Sequence, residues 1–367
     1  MAIVTVLGAG MMGSALCVPL VDRGHDVRLV GTHLDAPIIA SLKASNWHPT
    51  LSLELPRSIR PYALEELDEA LEGVEFVGLG VSSPGVRWAA ETLAPLLSRR
   101  LEAGALTDSF ALFSIAKGLE FEPSGLVTLP DAFHGALPAP LAEILQPVAV
   151  AGPCIAGELA RRVETAVVLT GRDRRALERC RALLQNDYYH VFIDEDVLGV
   201  EACAALKNAY AMGVAFAAGA HAAAGGQPGS IARHNYESAV FAQSIYEMQQ
   251  ICQLLGGHPA SATWLPGVGD LDVTTNGGRT GRFGAHLGRG LGREEAIAAM
   301  QGATLECLNV LQVMRSAIAS WEHAGLLQEG DLPLLRHMAE VALDGAPVRV
   351  PFRAFFGRAS RPEGSLP

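Results

Sequence analysis

Lys207 is the residue of this chain best placed by type and context to do chemistry. It is the only formally charged side chain between Ala202 and Ala232. Alanine dominates the run Glu201-Ala-Cys-Ala-Ala-Leu-Lys207-Asn208-Ala-Tyr-Ala-Met-Gly-Val-Ala-Phe, and turn residues are sparse before Gly219, so the run predicts a helix. A helix apolar on nearly every face lies inside a protein. An ammonium carried there needs a partner, and burial lowers its pKa, which suits it to hand over a proton near neutral pH. The chain holds 28 lysines and arginines, and only Lys43, Lys117 and Lys207 are lysine. Arginine stays protonated whereas lysine can release its proton, so this chain keeps a titratable amine at few places. Lys117 follows an apolar run, Ala111 to Ile115, that reads as a strand; active-site groups gather at strand ends in α/β folds. Lys43 sits in a polar stretch and reads as surface charge.

A second kind of chemistry stands at the N-terminus. Ile3 to Leu7 is a short β-branched run that reads as a buried strand, and Gly8-Ala9-Gly10-Met11-Met12-Gly13 follows at once. Ser14-Ala15-Leu16 continues as helix, and Val27 to Val30 is the next strand. Strand, G-x-G-x-x-G, helix and strand within about thirty residues is the setting of a dinucleotide-binding turn. Gly8 makes the tight turn, Gly10 lets backbone approach a pyrophosphate, and Gly13 permits close packing of helix on strand. The helix start at Met11 and Met12 then faces the phosphates. NAD-preferring sites place an acid at the end of the second strand to hold the ribose hydroxyls. Here that region reads Val30-Gly31-Thr32-His33-Leu34-Asp35, with no acid at the strand end. Thr32 and His33 are candidates to accept a 2′-phosphate, and Asp35 remains an acid within reach of the ribose. The choice between NAD and NADP stays open, with NADP favoured.

The elements that must hold these groups follow in order. Val74 to Val81 is a buried strand ended by Ser82-Ser83-Pro84-Gly85, which makes Ser82 a candidate for the nicotinamide side. Val148-Ala149-Val150 leads through Ala151 to Glu158 into another helix start, and Ala166 to Thr170 and Val191 to Ile193 close the sheet. Residues 47–56 read as a loop. After Asp194-Glu195-Asp196 strand signals nearly vanish and helices follow, the second spanning roughly Tyr236 to Leu255. Glycines, hydroxyls, an amide and two arginines from Pro266 to Arg282 suggest an oxyanion-binding loop. The fold class is therefore α/β: a Rossmann-type parallel-sheet domain over 1–195, an all-helical substrate domain over 196–345, and a loosely held tail over 346–367.

Composition limits the partners. A chain of 367 residues is too long for one small core, and 49% hydrophobic with 18% charged residues suits a globular protein. A net charge of −11 offers no basic footprint for nucleic acid or anionic membrane. The N-terminus has no basic, cleavable leader, and Ala209 to Gly226 is too rich in Ala and Gly to span a bilayer. Six scattered cysteines without a Cys-x-x-Cys pair fit reduced thiols and a cytoplasmic location. No metal-ligand spacing stands out.

Together these stretches resemble the NAD(P)-dependent glycerol-3-phosphate dehydrogenase family over about residues 2 to 320. The motifs that carry the resemblance are the N-terminal G-x-G-x-x-G, Ser114-Ile-Ala-Lys117-Gly118, Ala151-Gly152-Pro153-Cys154-Ile155-Ala156, Ala205-Leu206-Lys207-Asn208, and Gly267-Val-Gly-Asp270-Leu ending in Gly278-Arg279. The resemblance implies reduction of dihydroxyacetone phosphate to glycerol 3-phosphate, a phospholipid precursor, with NAD or NADP as cofactor, by a homodimer. It makes Lys207 the general acid/base and Lys117 a substrate-side lysine. Asn208 and Arg279 would hold the substrate phosphate; Asp270, Thr274, Gly278 and Thr280 would complete the pocket. Ala156, Arg279 and Gln301 would join Gly8, Gly10, Met11, Met12, Gly13, Thr32, His33 and Ser82 around the cofactor. Ser82-Ser83, Cys154 and Thr280 depart from the family's usual residues. Two alternatives differ in class: a dehydrogenase of the same architecture acting on another ketone or keto acid, and a non-catalytic NAD(P)-binding sensor.

Overall fold

The computed structural model describes residues 1–106, 110–227 and 233–357. The chain divides into two compact units, the first formed by 1–117 with 128–201 and the second by 118–127 with 202–367.

Twelve strands are described: β1 (Ile3–Leu7), β2 (Asp26–Val30), β3 (Trp47–His48), β4 (Leu53–Glu54), β5 (Ile59–Tyr62), β6 (Phe76–Leu79), β7 (Ala111–Ser114), β8 (Leu119–Glu122), β9 (Gly125–Thr128), β10 (Val148–Ala151), β11 (Thr165–Thr170) and β12 (Tyr189–Ile193). Eight of them form one sheet in the order β12-β11-β10-β7-β6-β1-β2-β5. Every pairing in it is parallel except β10 with β11. Alternate residues feed two cores: Val4, Val6, Phe76 and Phe113 on one face, and Leu7, Val77, Leu79 and Leu112 on the other. Both faces are covered, as a parallel sheet requires. The chain leaves β1 toward β2 on one side and returns through β6 on the other. The carboxyl end of β1 is thus a topological switch point, the place where such sheets bind ligands.

The first unit departs from the sequence expectation in one place. Residues 47–56 are not a plain loop: β3 and β4 pair as a short hairpin that carries the fully buried His48. β5 is a strand despite Arg60-Pro61, and it tolerates proline because it lies at the sheet edge.

Apart from the β8–β9 hairpin, the second unit is helical in every described element. Its axis is the helix Val197–Ala223, whose side chains from Ala202 to Phe216 are almost all fully buried. The segment Pro266 to Arg282 is not an open loop. Leu265–Gly269 is one wide π turn, Asp270–Gly277 is a helix, and Arg279–Gly288 is another, broken from it at Gly278. The helix Arg279–Gly288 meets the central helix backbone to backbone. A Cβ on Gly284 would lie 2.2 Å from the Met212 carbonyl oxygen, and one on Gly288 would lie 2.4 Å from that of Phe216. From the other side, a Cβ on Gly219 would lie 2.2 Å from the Ala285 oxygen. Only glycine lets these two helices approach so closely, which explains the Ala- and Gly-rich composition of the central run.

The tail also differs from expectation. Residues 346–357 pack on the helix His234–Leu254: Phe352 meets Tyr236 edge-on at 4.8 Å between ring centroids, and the Phe356 amide donates to Gln243 Oε1 at 3.0 Å. Three phenylalanines in 352–356 supply the apolar area that a loose tail lacks. Residues 358–367 lie outside the described residues.

Gly284→Ala is expected to destabilise the protein by about 3 kcal/mol, because the added methyl overlaps main chain that cannot swing aside. Gly135→Ala, where a Cβ meets nothing within 4 Å, should stay within about 0.5 kcal/mol of the parent. Urea denaturation of both variants checks this; equal midpoints would show that the helix crossing can relax.

Candidate active site

The glycine turn after β1 has the three features its sequence predicts. Gly8 adopts φ +112°, and a Cβ there would lie 2.6 Å from the Gly80 backbone at the end of β6. A Cβ on Gly13 would lie 2.0 Å from the Gly8 oxygen, whereas one on Gly10 would meet nothing within 4 Å. The turn is closed below and open above. Gly10 caps the helix Met11–Asp22 without a side-chain hydrogen bond. The first-turn amides, including those of Met11, Met12 and Gly13, lack intrahelical acceptors and carry the positive end of the helix dipole. This donor set, with open space at Gly10, fits a pyrophosphate.

Beyond β2, Asp35 is buried and Thr32 is half-buried against it. The Thr32 hydroxyl donates to Asp35 Oδ2 at 2.8 Å and accepts from the Leu34 amide at 3.2 Å. His33 is exposed and lies edge-on to Trp88, at 5.4 Å between centroids.

Lys117 ties together three neighbouring strand ends. Its ammonium donates to the Gly152 oxygen at 2.8 Å, just past β10, and its own carbonyl accepts from Ser83 Oγ at 2.7 Å, just past β6. Ser82, the residue the sequence singled out, is exposed, and its buried neighbour Ser83 makes the link. Ala156 is the buried first residue of the short helix Ala156–Leu159.

Sequence reasoning also missed Glu201. It is 1% exposed, and neither carboxyl oxygen has a hydrogen-bond partner among the described residues. Burial pushes its carboxyl up to about 8, against the downward pull of the Lys117 ammonium. The available signal was an acid six residues before Lys207 in a largely apolar helix.

In the second unit the structure brings Lys207, Asp270 and Thr274 together. Lys207 Nζ lies 3.0 Å from Asp270 Oδ1 and donates to Thr274 Oγ1 at 2.9 Å. Asp270 opens the helix Asp270–Gly277, and Thr274, four residues on, lies one turn above it on the same face. All three are at most 9% exposed. Asn208 is buried beside Lys207 in sequence, and its amide donates to Glu306 Oε2 at 3.0 Å. Arg279, exposed, is the first residue of the helix Arg279–Gly288, which Gly278 caps. Thr280 points inward: it is 6% exposed and hydrogen-bonded with Cys307, whose thiol burial pushes up to about 12. Gln301 is exposed, on a turn at φ +52°.

A parallel sheet with an open glycine turn, joined to a helical unit with a buried lysine–aspartate pair, defines a dinucleotide-dependent dehydrogenase. Residues 3–177 match the family model for the N-terminus of NAD-dependent glycerol-3-phosphate dehydrogenase, and residues 196–352 match that for its C-terminus. The chain belongs to the NAD(P)-dependent glycerol-3-phosphate dehydrogenase family. It is 36% identical over 299 residues to the NADP(+)-dependent glycerol-3-phosphate dehydrogenase of Archaeoglobus fulgidus, covering 82% of this chain and 84% of that protein. It is 29% identical over 362 residues to the glycerol-3-phosphate dehydrogenase (NAD(P)+) of Bacillus cytotoxicus, covering 98% and 96%. Among solved structures, the glycerol-3-phosphate dehydrogenase of Coxiella burnetii shares the fold, with TM-score 0.74 at 24% identity over 96% of each chain.

Glu201 yields a stability prediction. Its folded pKa lies above the ordinary glutamate value of 4.5, so its contribution to stability is full below that value and lost as pH rises through about 8. Glu201→Gln keeps the neutral shape, so its advantage over the parent should grow from nothing near pH 4 to about 3–5 kcal/mol at pH 9. Urea denaturation across that range checks it, and parallel curves would mean that Glu201 titrates normally.

Proposed function

We propose that this chain catalyses the reversible reduction of dihydroxyacetone phosphate to sn-glycerol 3-phosphate with NADH or NADPH. The observation that carries this reading is the buried Lys207 ammonium held by Asp270 and Thr274, in a chain of this family. Reduction of the ketone consumes one hydride and one proton: the bound nicotinamide supplies the hydride, and Lys207 delivers the proton to the alkoxide oxygen. Asp270 and the Thr274 hydroxyl hold and orient the ammonium for that transfer. In the reverse direction Lys207 takes the proton from the secondary alcohol.

Gly8 and Gly10 let the pyrophosphate approach the backbone, and the amides of Met11, Met12 and Gly13 hold its oxygens. Ser82, Ala156 and Gln301 are assigned to the remaining cofactor contacts. Arg279 and Asn208 bind the substrate phosphate. The Arg279 guanidinium stands at the positive end of its own helix, where Gly278 caps the first turn, and both favour a dianion. Thr280 shapes that pocket from within, through its bond to Cys307. Lys117 places the substrate oxygen and helps polarise the carbonyl. A homodimer in the cytoplasm is the assembly and location that fit this reading; no described helix is long and apolar enough to cross a membrane.

Lys207→Ala should lose about 10²–10⁴-fold in turnover while NADH and NADPH binding, followed by fluorescence titration, stays intact. Near-normal turnover would end the assignment of Lys207. Arg279→Ala should raise KM for dihydroxyacetone phosphate by about 10–100-fold, the loss of a charged hydrogen bond. Turnover of unphosphorylated dihydroxyacetone should not change; an equal loss on both ketones would show that Arg279 does not read phosphate.

A further inference from the structure

Two side chains fasten the glycine turn from opposite sides. Ala9, between Gly8 and Gly10, is fully buried. Its amide donates to Asp35 Oδ2 at 3.1 Å. The same oxygen accepts from the Thr32 amide at 2.9 Å and the Thr32 hydroxyl at 2.8 Å. The Ala9 carbonyl lies 3.1 Å from His48 Nε2 and accepts from the Ser14 hydroxyl at 3.1 Å. His48 Nδ1 accepts from the Leu51 amide at 3.1 Å. That bond assigns the ring proton to Nε2 and makes His48 the donor to Ala9. Both faces of a single residue in the turn are therefore held, by Asp35 from beyond β2 and by His48 from the β3–β4 hairpin.

An acid just past the second strand is where a ribose-reading carboxylate belongs. Asp35 stands close to that position, but the oxygen that accepts is already engaged with three donors. Rotating the carboxylate so that both oxygens meet a ribose diol would break all three hydrogen bonds and release Ala9. Thr32, expected from the sequence to meet a 2′-phosphate, commits its one hydroxyl proton to the same oxygen. We propose that Asp35 and His48 are positioning residues of the dinucleotide turn, and that Asp35 holds Ala9 rather than choosing between NAD and NADP. The inference rests on the dinucleotide-binding reading given above. Its energetic content is preorganisation: a glycine-rich turn left unheld must be ordered by the ligand that binds it, which weakens binding.

The test is direct titration of NADH and NADPH into the full-length protein and its variants, by fluorescence or calorimetry, beside steady-state kinetics. Asp35→Ala should weaken both dinucleotides by the same factor, about 10–100-fold for lost charge-assisted hydrogen bonds. The ratio of the two dissociation constants should stay at the parent value. KM for the dinucleotide should rise while kcat at saturation stays within about twofold, because the reacting groups are untouched. His48→Ala should act in the same way, and His48→Gln, whose amide can donate to the Ala9 oxygen, should recover most of the affinity. A tenfold change in the NADH-to-NADPH ratio in Asp35→Ala would make Asp35 a ribose reader and overturn the proposal, as would unchanged affinity for both. If Asp35→Ala does not fold, the two His48 variants decide: equal affinity in Ala and Gln overturns the role of the Ala9 clamp. Failure of the parent protein to bind either dinucleotide would instead remove the underlying functional reading.

Discussion

An ammonium shut away from water is tolerable only beside an anion, and the Lys207–Asp270 pair is the constraint around which the second unit is arranged. Desolvating both charges costs several kcal/mol per ion, roughly, and a contact of good geometry with further hydrogen bonds is needed to offset it. The 3.0 Å separation and the Thr274 hydroxyl supply that geometry. Asp270 must therefore sit at a defined height along the helix that carries Lys207. The main-chain contacts of Gly284, Gly288 and Gly219 fix the following helix against that same axis without intervening side chains. Small residues keep the helices close, and closeness leaves the pair little freedom to separate.

The first unit solves a different problem with the same means. A pyrophosphate needs backbone amides presented without obstruction, so the turn that presents them can contain few side chains of its own. Its rigidity must come from outside. Gly8, Gly13 and Gly80 stack backbone on backbone beneath the turn, and Asp35, His48 and Ser14 hold Ala9 from the flanks. The ligand side stays bare because the supporting groups all approach from the protein side.

Much of this was legible in the sequence, for identifiable reasons. The turn after β1 is a local motif whose glycines each answer a steric demand, so spacing alone located it. Lys207 was legible because charge in an apolar run is rare. Lysine scarcity was informative too: Lys43 forms an exposed pair with Glu66, while Lys117 and Lys207 are both tied into buried or strand-end networks. The misreadings share a cause. The run Pro266 to Arg282 looks like a loop because glycine lowers helix propensity, whereas its glycines let backbone pack on backbone, Gly267 against Ala262 and Gly281 against Thr275. The clamp by His48 and the bond from Ser83 to the Lys117 carbonyl depend on partners 39 and 34 residues away in the chain. No periodicity reports such a distance.

Two buried glutamates show what distinguishes a structural acid from a candidate functional one. Glu247, in the second unit, and Glu201, in the first, are both at most 1% exposed. Glu247 accepts from the Tyr210 hydroxyl, the Gln243 amide and the Leu334 and Leu335 amides at 2.8–2.9 Å. It closes the start of the helix Pro333–Asp344, and those donors restrain the upward push of burial to about 6. Glu201 has no such donors among the described residues and rises to about 8. Both are fully buried; hydrogen bonds lower the proton affinity of Glu247, while Glu201 has only the opposed charges of Lys117 and Asp131 beside its burial. A carboxyl saturated with amides is a fastening. One that is buried, without donors among the described residues and close enough to feel the Lys117 charge, has its carboxyl pushed well above the usual range by burial. A buried acid without donors costs stability, and the cost grows as pH rises and the carboxyl ionises.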